Sequence, residues 1–328
     1  MRTEEQIDLA SAVRSLLAKR ADSESVRAAM ESDAGYDIAL WTTLCEQIGV
    51  AALTIPEELG GAGGTLADAA AALEEIGYSL AAVPAIAALV ASEALLSAPE
   101  PDAELLTRIA GGAIATLVTG DFQLDGDRMS GTAPHVLYGA EAEILLVGTA
   151  GGLYEVIPTG ITAEPSPAMD PTLRLATVTL NSAPGRQIAT DNYRDHARIR
   201  AATLVGLSAL AVGCAQRGLD MTVGYSKERV QFGRQIGSFQ ALKHRMADML
   251  VLVEMARSAA WASAGGQLDP TTAAAYCLEA LQKVAAETIQ LHGGIAITWE
   301  HDAHLIFKRA HALTQLAGQP HQLRAGII

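Results

Sequence analysis

The chain has 328 residues; half are hydrophobic, only 4% are aromatic, and the formal net charge is −14 at pH 7. That length buries a large core over two or three structural domains, and with so few aromatics the core must be built from Ala, Leu, Val and Ile, as in closely packed helices. The acidic balance argues against a nucleic-acid surface, which needs a basic excess, but leaves room for a local basic pocket that holds a nucleotide cofactor.

The N-terminus, MRTEEQIDLA, is charged and lacks the apolar run of a signal peptide. Cys45, Cys214 and Cys277 are odd in number and far apart, with no CxxC spacing or disulfide framework, so a reducing cytoplasm is the expected compartment. The longest apolar stretches, 80–91 and 201–215, fall short of the roughly 20 residues of a bilayer span and read as buried helices of a soluble protein.

In chain order, 1–112 read as an N-terminal helical domain, Ala-rich and amphipathic, broken by IPEELGGAGG (55–64), Pro84 and the PEP at 99–101. From 113 to 192 short β-branched runs alternate with Gly, Asp and Pro: AIATLVTG (113–120), EILLVGTA (143–150), LYEVIP (153–158) and LATVTL (175–180). That spacing predicts a middle β domain, a small barrel or sandwich. Residues 193–328 return to long helices, and Leu242, Met246, Met249, Leu250 and Val253 recur at helical spacing as one buried face. Helices, strands, then helices predict a mainly helical α+β protein rather than a βαβ repeat. No internal repeat or low-complexity linker stands out.

Several polar clusters invite a functional reading. GGAGG at 60–64 lacks the Lys-Ser/Thr pair and the preceding strand of a phosphate loop, and reads as a flexible corner between helices. His301, His304 and His311 cluster with Asp302, but without HExxH or a Cys they read as a polar or interface face rather than a metal site. In the R-x-Q-F-G string, Arg229 offers a planar fork suited to a pyrophosphate, Phe232 a flat apolar surface and Gly233 a turn without a Cβ; the same residues also suit an ordinary helix end. Further on, Gln290 ends an apolar helix and Gly293-Gly294 let a backbone approach a ligand closely.

Two such corners, inside SKERVQFGRQIGSFQALKHRMADM (226–249) and QLHGGIAITWEHDAHLIFKRA (290–310), make the chain resemble the acyl-CoA dehydrogenase family over nearly its full length. PEELGG (56–61) and EEIG (74–77) are similar to that family's N-terminal domain. The resemblance implies an N-terminal helical domain, a middle β domain and a C-terminal four-helix bundle. It also implies that Arg229, Gln231, Phe232, Gln290, Gly293 and Gly294 grip the adenosine diphosphate half of FAD bound by a neighbouring subunit.

The chain also departs from the family. The E-P-x-A-G-S-D stretch that meets flavin and thioester is replaced by TLVTGDFQLDGD (116–127), and the strand that covers the isoalloxazine by GTAPHVLYGAEAE (131–143), which brings His135, Val136 and Leu137 there. Removing the α-proton of an acyl-CoA needs a carboxylate whose pKa an apolar pocket raises. The two places the family uses for it hold Ala317 and Thr203, so no catalytic residue is assigned; Asp191 and Asp195 stand upstream of the bundle and read as loop residues. Both corners without either base resembles the non-catalytic partner subunits of actinobacterial heterotetrameric (α2β2) acyl-CoA dehydrogenases that shorten steroid side chains. SGTAPHVLYGAEAE (130–143) is similar to a string in their middle domain. The resemblance implies a catalytic paralogue, an acyl-CoA substrate and an electron-transferring flavoprotein as partners. Two other readings stay open: a self-sufficient homo-oligomer with an atypical base, and a flavin-free structural pseudoenzyme.

Overall fold

A computed structural model describes residues 2–194 and 196–327. Six helices come first: α1 (Glu4–Arg20), α2 (Ser23–Glu31), α3 (Ile38–Thr43), α4 (Leu66–Ser79), α5 (Ala85–Leu96) and α6 (Ala103–Ala110). Seven strands follow: β1 (Ala115–Thr119), β2 (Gln123–Asp125), β3 (Arg128–Leu137), β4 (Ile144–Thr149), β5 (Gly152–Val156), β6 (Ile161–Ser166) and β7 (Leu175–Ala189). The rest is helical apart from a two-strand hairpin: α7 (Ala197–Glu228), β8 (Val230–Gln231), β9 (Arg234–Gln235), α8 (Gln240–Ala264), α9 (Pro270–His292), α10 (Ala303–Ala317) and α11 (Pro320–Ala325). This is the expected order of helices, strands and helices.

Local chemistry sets several boundaries. Thr3 and Gln6 exchange side-chain and backbone hydrogen bonds at the start of α1, a reciprocal cap that satisfies donors the helix leaves open. Asp102 caps α6 through the Leu105 amide, and Asp269 caps α9 just before Pro270, whose missing N–H costs nothing in a first turn.

The chain forms two compact units. One comprises Met1–Glu24, Ala70–Ala81 and Leu204–Ile328. Its core is aliphatic: Leu207, Leu210 and Val212 of α7, Met249 and Val253 of α8, Leu278, Leu281 and Val284 of α9, and Leu305, Ile306 and Leu313 of α10 are all buried. The buried face of α8 keeps Met249 and Val253 of the one expected but not Leu250. It runs through Met249, Val253, Ala256 and Ala260, whereas Leu250 is 48% exposed because it stands one residue, about 100°, round from that stripe. Helix α7 is long and apolar enough by itself to cross a bilayer, which the 201–215 stretch alone did not indicate. Its apolar window is 78% buried inside the fold, as in a core helix.

The other unit comprises Ser25–Ala69 and Ala82–Thr203 and holds a seven-stranded half-barrel sheet in the order β1-β4-β5-β7-β3-β2, with β6 also paired to β7. Only β1 and β4 run parallel. The fifteen-residue β7 pairs with β3 and β6 over its first half and with β5 over its second. Between the halves Ser182 has φ +51°, a left-handed kink in an otherwise extended strand. Met129, Val147, Val178, Leu180 and Tyr154 form the core beneath the sheet. The glycine corner at 60–64 is tied down rather than flexible: the amides of Gly61, Ala62, Gly63 and Gly64 donate to carbonyls of Pro56, Ala52, Ile55 and Leu53.

Candidate functional site

The first corner begins where α7 ends. The Arg229 amide still donates to the Tyr225 carbonyl, so Arg229 stands one helical turn beyond Tyr225 on the same face. The chain then reverses through the β8–β9 hairpin, closed by the Ile236 amide on the Arg229 carbonyl at 2.8 Å. Phe232 and Gly233 form its tip, both left-handed at φ +54° and +75° as such two-residue hairpins require. Phe232 holds that conformation despite its side chain, which is 91% exposed and meets Phe239 edge-on at 6.2 Å. Arg229 and Gln231 are exposed; the Gln231 amide nitrogen folds back onto the Val230 carbonyl. Arg229 takes part in no ion pair among the described residues.

The second corner ends α9. Gln290 is exposed, and Gly293, at φ +67°, turns the chain into a short 3₁₀ segment, Gly293–Ile297. A Cβ built at Gly233, Gly293 or Gly294 meets no atom within 4 Å, so the backbone there is open on that side. The structure thus places the six expected residues on two surface corners of one unit, three on each.

The link between the corners was not foreseen. Tyr225 of α7 stacks on His292 of α9 with ring centroids 4.5 Å apart and planes 28° apart. His301 closes the stack, 4.7 Å from His292 and 6.3 Å from Tyr225. One turn below, the Thr222 hydroxyl reaches the Thr288 hydroxyl at 3.3 Å, and the His292 Nδ1–H donates to the Thr288 carbonyl at 2.7 Å. Burial holds the His292 pKa below its ordinary value, which favours the neutral ring. The only sequence signal was position: Tyr225 four residues before Arg229, and His292 abutting Gly293.

This donor set fits the diphosphate half of a dinucleotide such as FAD: an exposed guanidinium, a bare aromatic ring and two glycine backbones with open space at the Cβ position. The residues expected to be unsuited to base catalysis lie elsewhere. Ala317 is the last residue of α10, and the Thr203 hydroxyl is bound to the Ile199 carbonyl at 2.8 Å inside α7. The Asp191 carboxylate accepts from the Asn192 amide in a local turn, and Asp195 lies outside the described residues. In β3, Val136 points into the sheet core and exposed His135 sits at φ +60° in a bulge. Among the described residues no group of three or more His, Cys, Asp or Glu is arranged to hold a metal ion.

A second polar feature of the same unit is a cavity of about 330 Å³ lined by Arg14, Glu74, Glu75, Tyr78, Gln216 and Arg257, among others. Glu74 and Glu75 are buried, yet both are paired: Glu75 accepts two bonds from Arg14, and Glu74 accepts from Arg2, Arg257 and Trp261. With its carboxylates satisfied in this way, the cavity reads as an internal brace.

The model of the acyl-CoA dehydrogenase N-terminal domain matches residues 3–112, and that of the C-terminal domain matches 202–327. The acyl-CoA dehydrogenase IpdE2 of Mycobacterium tuberculosis is 49% identical over 325 residues, spanning 98% of this chain and 95% of its own. Among solved structures, the ChsE4-ChsE5 complex from Mycobacterium tuberculosis superimposes with a TM-score of 0.89 at 27% identity, covering 100% of this chain and 97% of the other. A variant of the Tcur3481-Tcur3483 steroid ACAD gives a TM-score of 0.87 at 28% identity, covering 98% and 96%.

Proposed function

The chain belongs to the acyl-CoA dehydrogenase family, and from that premise we propose that it is a subunit of a heteromeric, FAD-dependent acyl-CoA dehydrogenase. On this reading it supplies adenosine-diphosphate contacts in trans to a catalytic paralogue. The observation that carries this is the joining of two open, glycine-marked corners on one unit by the Tyr225–His292 stack. When bound, FAD supplies the hydride acceptor for α,β-dehydrogenation of an acyl-CoA thioester. Arg229 offers parallel N–H donors to the pyrophosphate, Phe232 a flat face to the adenine, and Gly293 and Gly294 a backbone that a ligand can approach closely. Gln231 and Gln290 flank these groups as polar contacts.

The α-proton needs a carboxylate base, and neither Ala317 nor Thr203 is one, so the base belongs to the paralogue. A two-component assembly is supported by the ChsE4-ChsE5 and Tcur3481-Tcur3483 structures, and a bulky steroid thioester by the latter. An α2β2 heterotetramer, an electron-transferring flavoprotein as redox partner and a cytoplasmic setting complete the reading; Cys45, Cys214 and Cys277, buried and outside any disulfide, suit that compartment.

The first test is the visible absorption spectrum of the chain purified alone and after co-expression with a paralogue. A colourless lone chain and a yellow complex are expected, with Arg229→Ala lowering the flavin content of the complex. A full complement of flavin on the lone chain overturns the in-trans reading, and unchanged flavin in the Arg229→Ala complex overturns the role of the corner.

A further inference from the structure

We propose that Tyr225, His292 and His301 are positioning residues that fix the Arg229 corner against the Gly293-Gly294 corner, so that both engage one diphosphate at once. The inference rests on the reading above and extends it to three residues that touch no ligand in that reading.

The argument begins with the two helices. Thr222 and Tyr225 of α7 and Arg229 just past its end fall three and four residues apart, hence on one face; Thr288 and His292, four apart, share a face of α9. The Thr222–Thr288 contact at 3.3 Å sets the spacing of the helices, and one turn later the Tyr225–His292 stack at 4.5 Å carries that spacing to their ends. Gly218, a turn before Thr222, allows this approach: a Cβ there would stand 2.9 Å from the Thr288 hydroxyl. Beyond the stack the chain leaves both helices, into the hairpin on one side and the 3₁₀ segment on the other.

His301 adds the third side. It follows the second corner, and its Nδ1 accepts the Ala303 amide at 3.2 Å, which orients the ring toward His292 at 4.7 Å. The Nδ1–H bond of His292 to the Thr288 carbonyl holds the other ring against its own helix. Three rings therefore meet where the two backbones diverge. Segments as exposed as 229–233 and 293–294 would otherwise have to be ordered by the ligand, at a cost in affinity. A stack that orders them beforehand is what a clamp built from two loops requires.

The test uses the assembled, flavin-loaded complex and measures FAD affinity by flavin fluorescence on dilution, together with the melting temperature of the flavin-free complex. Tyr225→Leu and His292→Ala are expected to weaken FAD roughly tenfold or more, equivalent to about 1.4 kcal/mol, while Tyr225→Phe, which keeps the stack, stays within about threefold of wild type. Because the stack acts through Arg229, Tyr225→Leu combined with Arg229→Ala should be little weaker than Arg229→Ala alone. His301→Ala, on a half-buried loop residue, gives the same comparison should the larger changes prevent folding. Full additivity of the two changes, or undiminished affinity in Tyr225→Leu and His301→Ala while Arg229→Ala is weakened, overturns the positioning role and leaves the adenosine-diphosphate reading standing. An undiminished Arg229→Ala overturns both.

Discussion

Replacing Glu74 by Ala removes the centre of the brace that joins α1, α4 and α8. Its Oε1 accepts from Arg257 Nε at 2.9 Å, and its Oε2 accepts from Trp261 Nε1 at 3.0 Å and from Arg2. The Arg2 guanidinium also lies 3.7 Å over the Trp261 ring. The side chains of Glu74 and Arg2 are only 8% and 12% exposed, so truncation leaves a guanidinium and an indole N–H without their acceptor in a place water barely reaches. Breaking a buried pair from one side costs about 3–5 kcal/mol. Arg257 keeps bonds to Glu254 and Gln216, which puts the expected loss near the lower end, about 3 kcal/mol. Glu74→Gln, which keeps the shape and one acceptor oxygen, should fall between wild type and Ala. The control is Arg324→Ala, which breaks a pair whose side chains are 51% and 33% exposed and should cost under about 1 kcal/mol. Urea unfolding followed by circular dichroism reads these differences as shifts in midpoint at constant slope. A Glu74→Ala protein no less stable than Arg324→Ala would refute the account of the brace.

Thr203→Glu restores a carboxylate at one of the family's two base positions. It should yield no acyl-CoA turnover by the isolated chain, because the residues at 131–137 also depart from the flavin-covering strand; measurable turnover would count against the partner-subunit reading. Gly213→Ala should be strongly destabilising, by about 1–3 kcal/mol or more, since its Cβ would stand 1.8 Å from the Glu74 carbonyl oxygen and 2.6 Å from the Tyr78 amide nitrogen. Gly224→Ala, with nothing within 4 Å, should be neutral or slightly stabilising in the same urea unfolding measurement. Burial keeps His292 below its ordinary pKa of 6.5, so the unfolded chain binds more protons there than the folded one. The His292 contribution is fully present above pH 6.5 and is lost as pH falls toward the depressed folded pKa; His292→Phe should flatten the melting temperature over that window.

The strands legible in the sequence were the β-branched ones: the runs at 113–120, 143–150, 153–158 and 175–180 contain β1, β4, all of β5 but its first residue, and the start of β7. Strand β3 escaped because Gly131 and Pro134 interrupt it, and the structure accommodates them with register shifts at 129–131 and 133–136. Strand β6 carries Pro165, tolerable because that strand pairs with β7 alone. The two corners were legible because glycine and arginine mark a turn locally. The Tyr225–His292 stack and the Glu74 brace were not, since each depends on which helices pack together; Arg2 and Glu74 are 72 residues apart, Glu74 and Arg257 183. Side-chain periodicity on α8 gave the helix but placed Leu250 on the wrong side, because adjacent apolar residues leave the centre of a stripe undecided.

The length of β7 has a consequence for how the sheet comes apart. One continuous strand is ladder partner to β3 and β6 in one half and to β5 in the other, so neither half has a backbone edge of its own at that seam. Opening either half strips hydrogen bonds from a strand the other half also needs, and the two are coupled into one cooperative opening unit. Amides along β7, from Val178 on one side of Ser182 to Gln187 on the other, should therefore exchange with solvent deuterium together rather than as two separate populations.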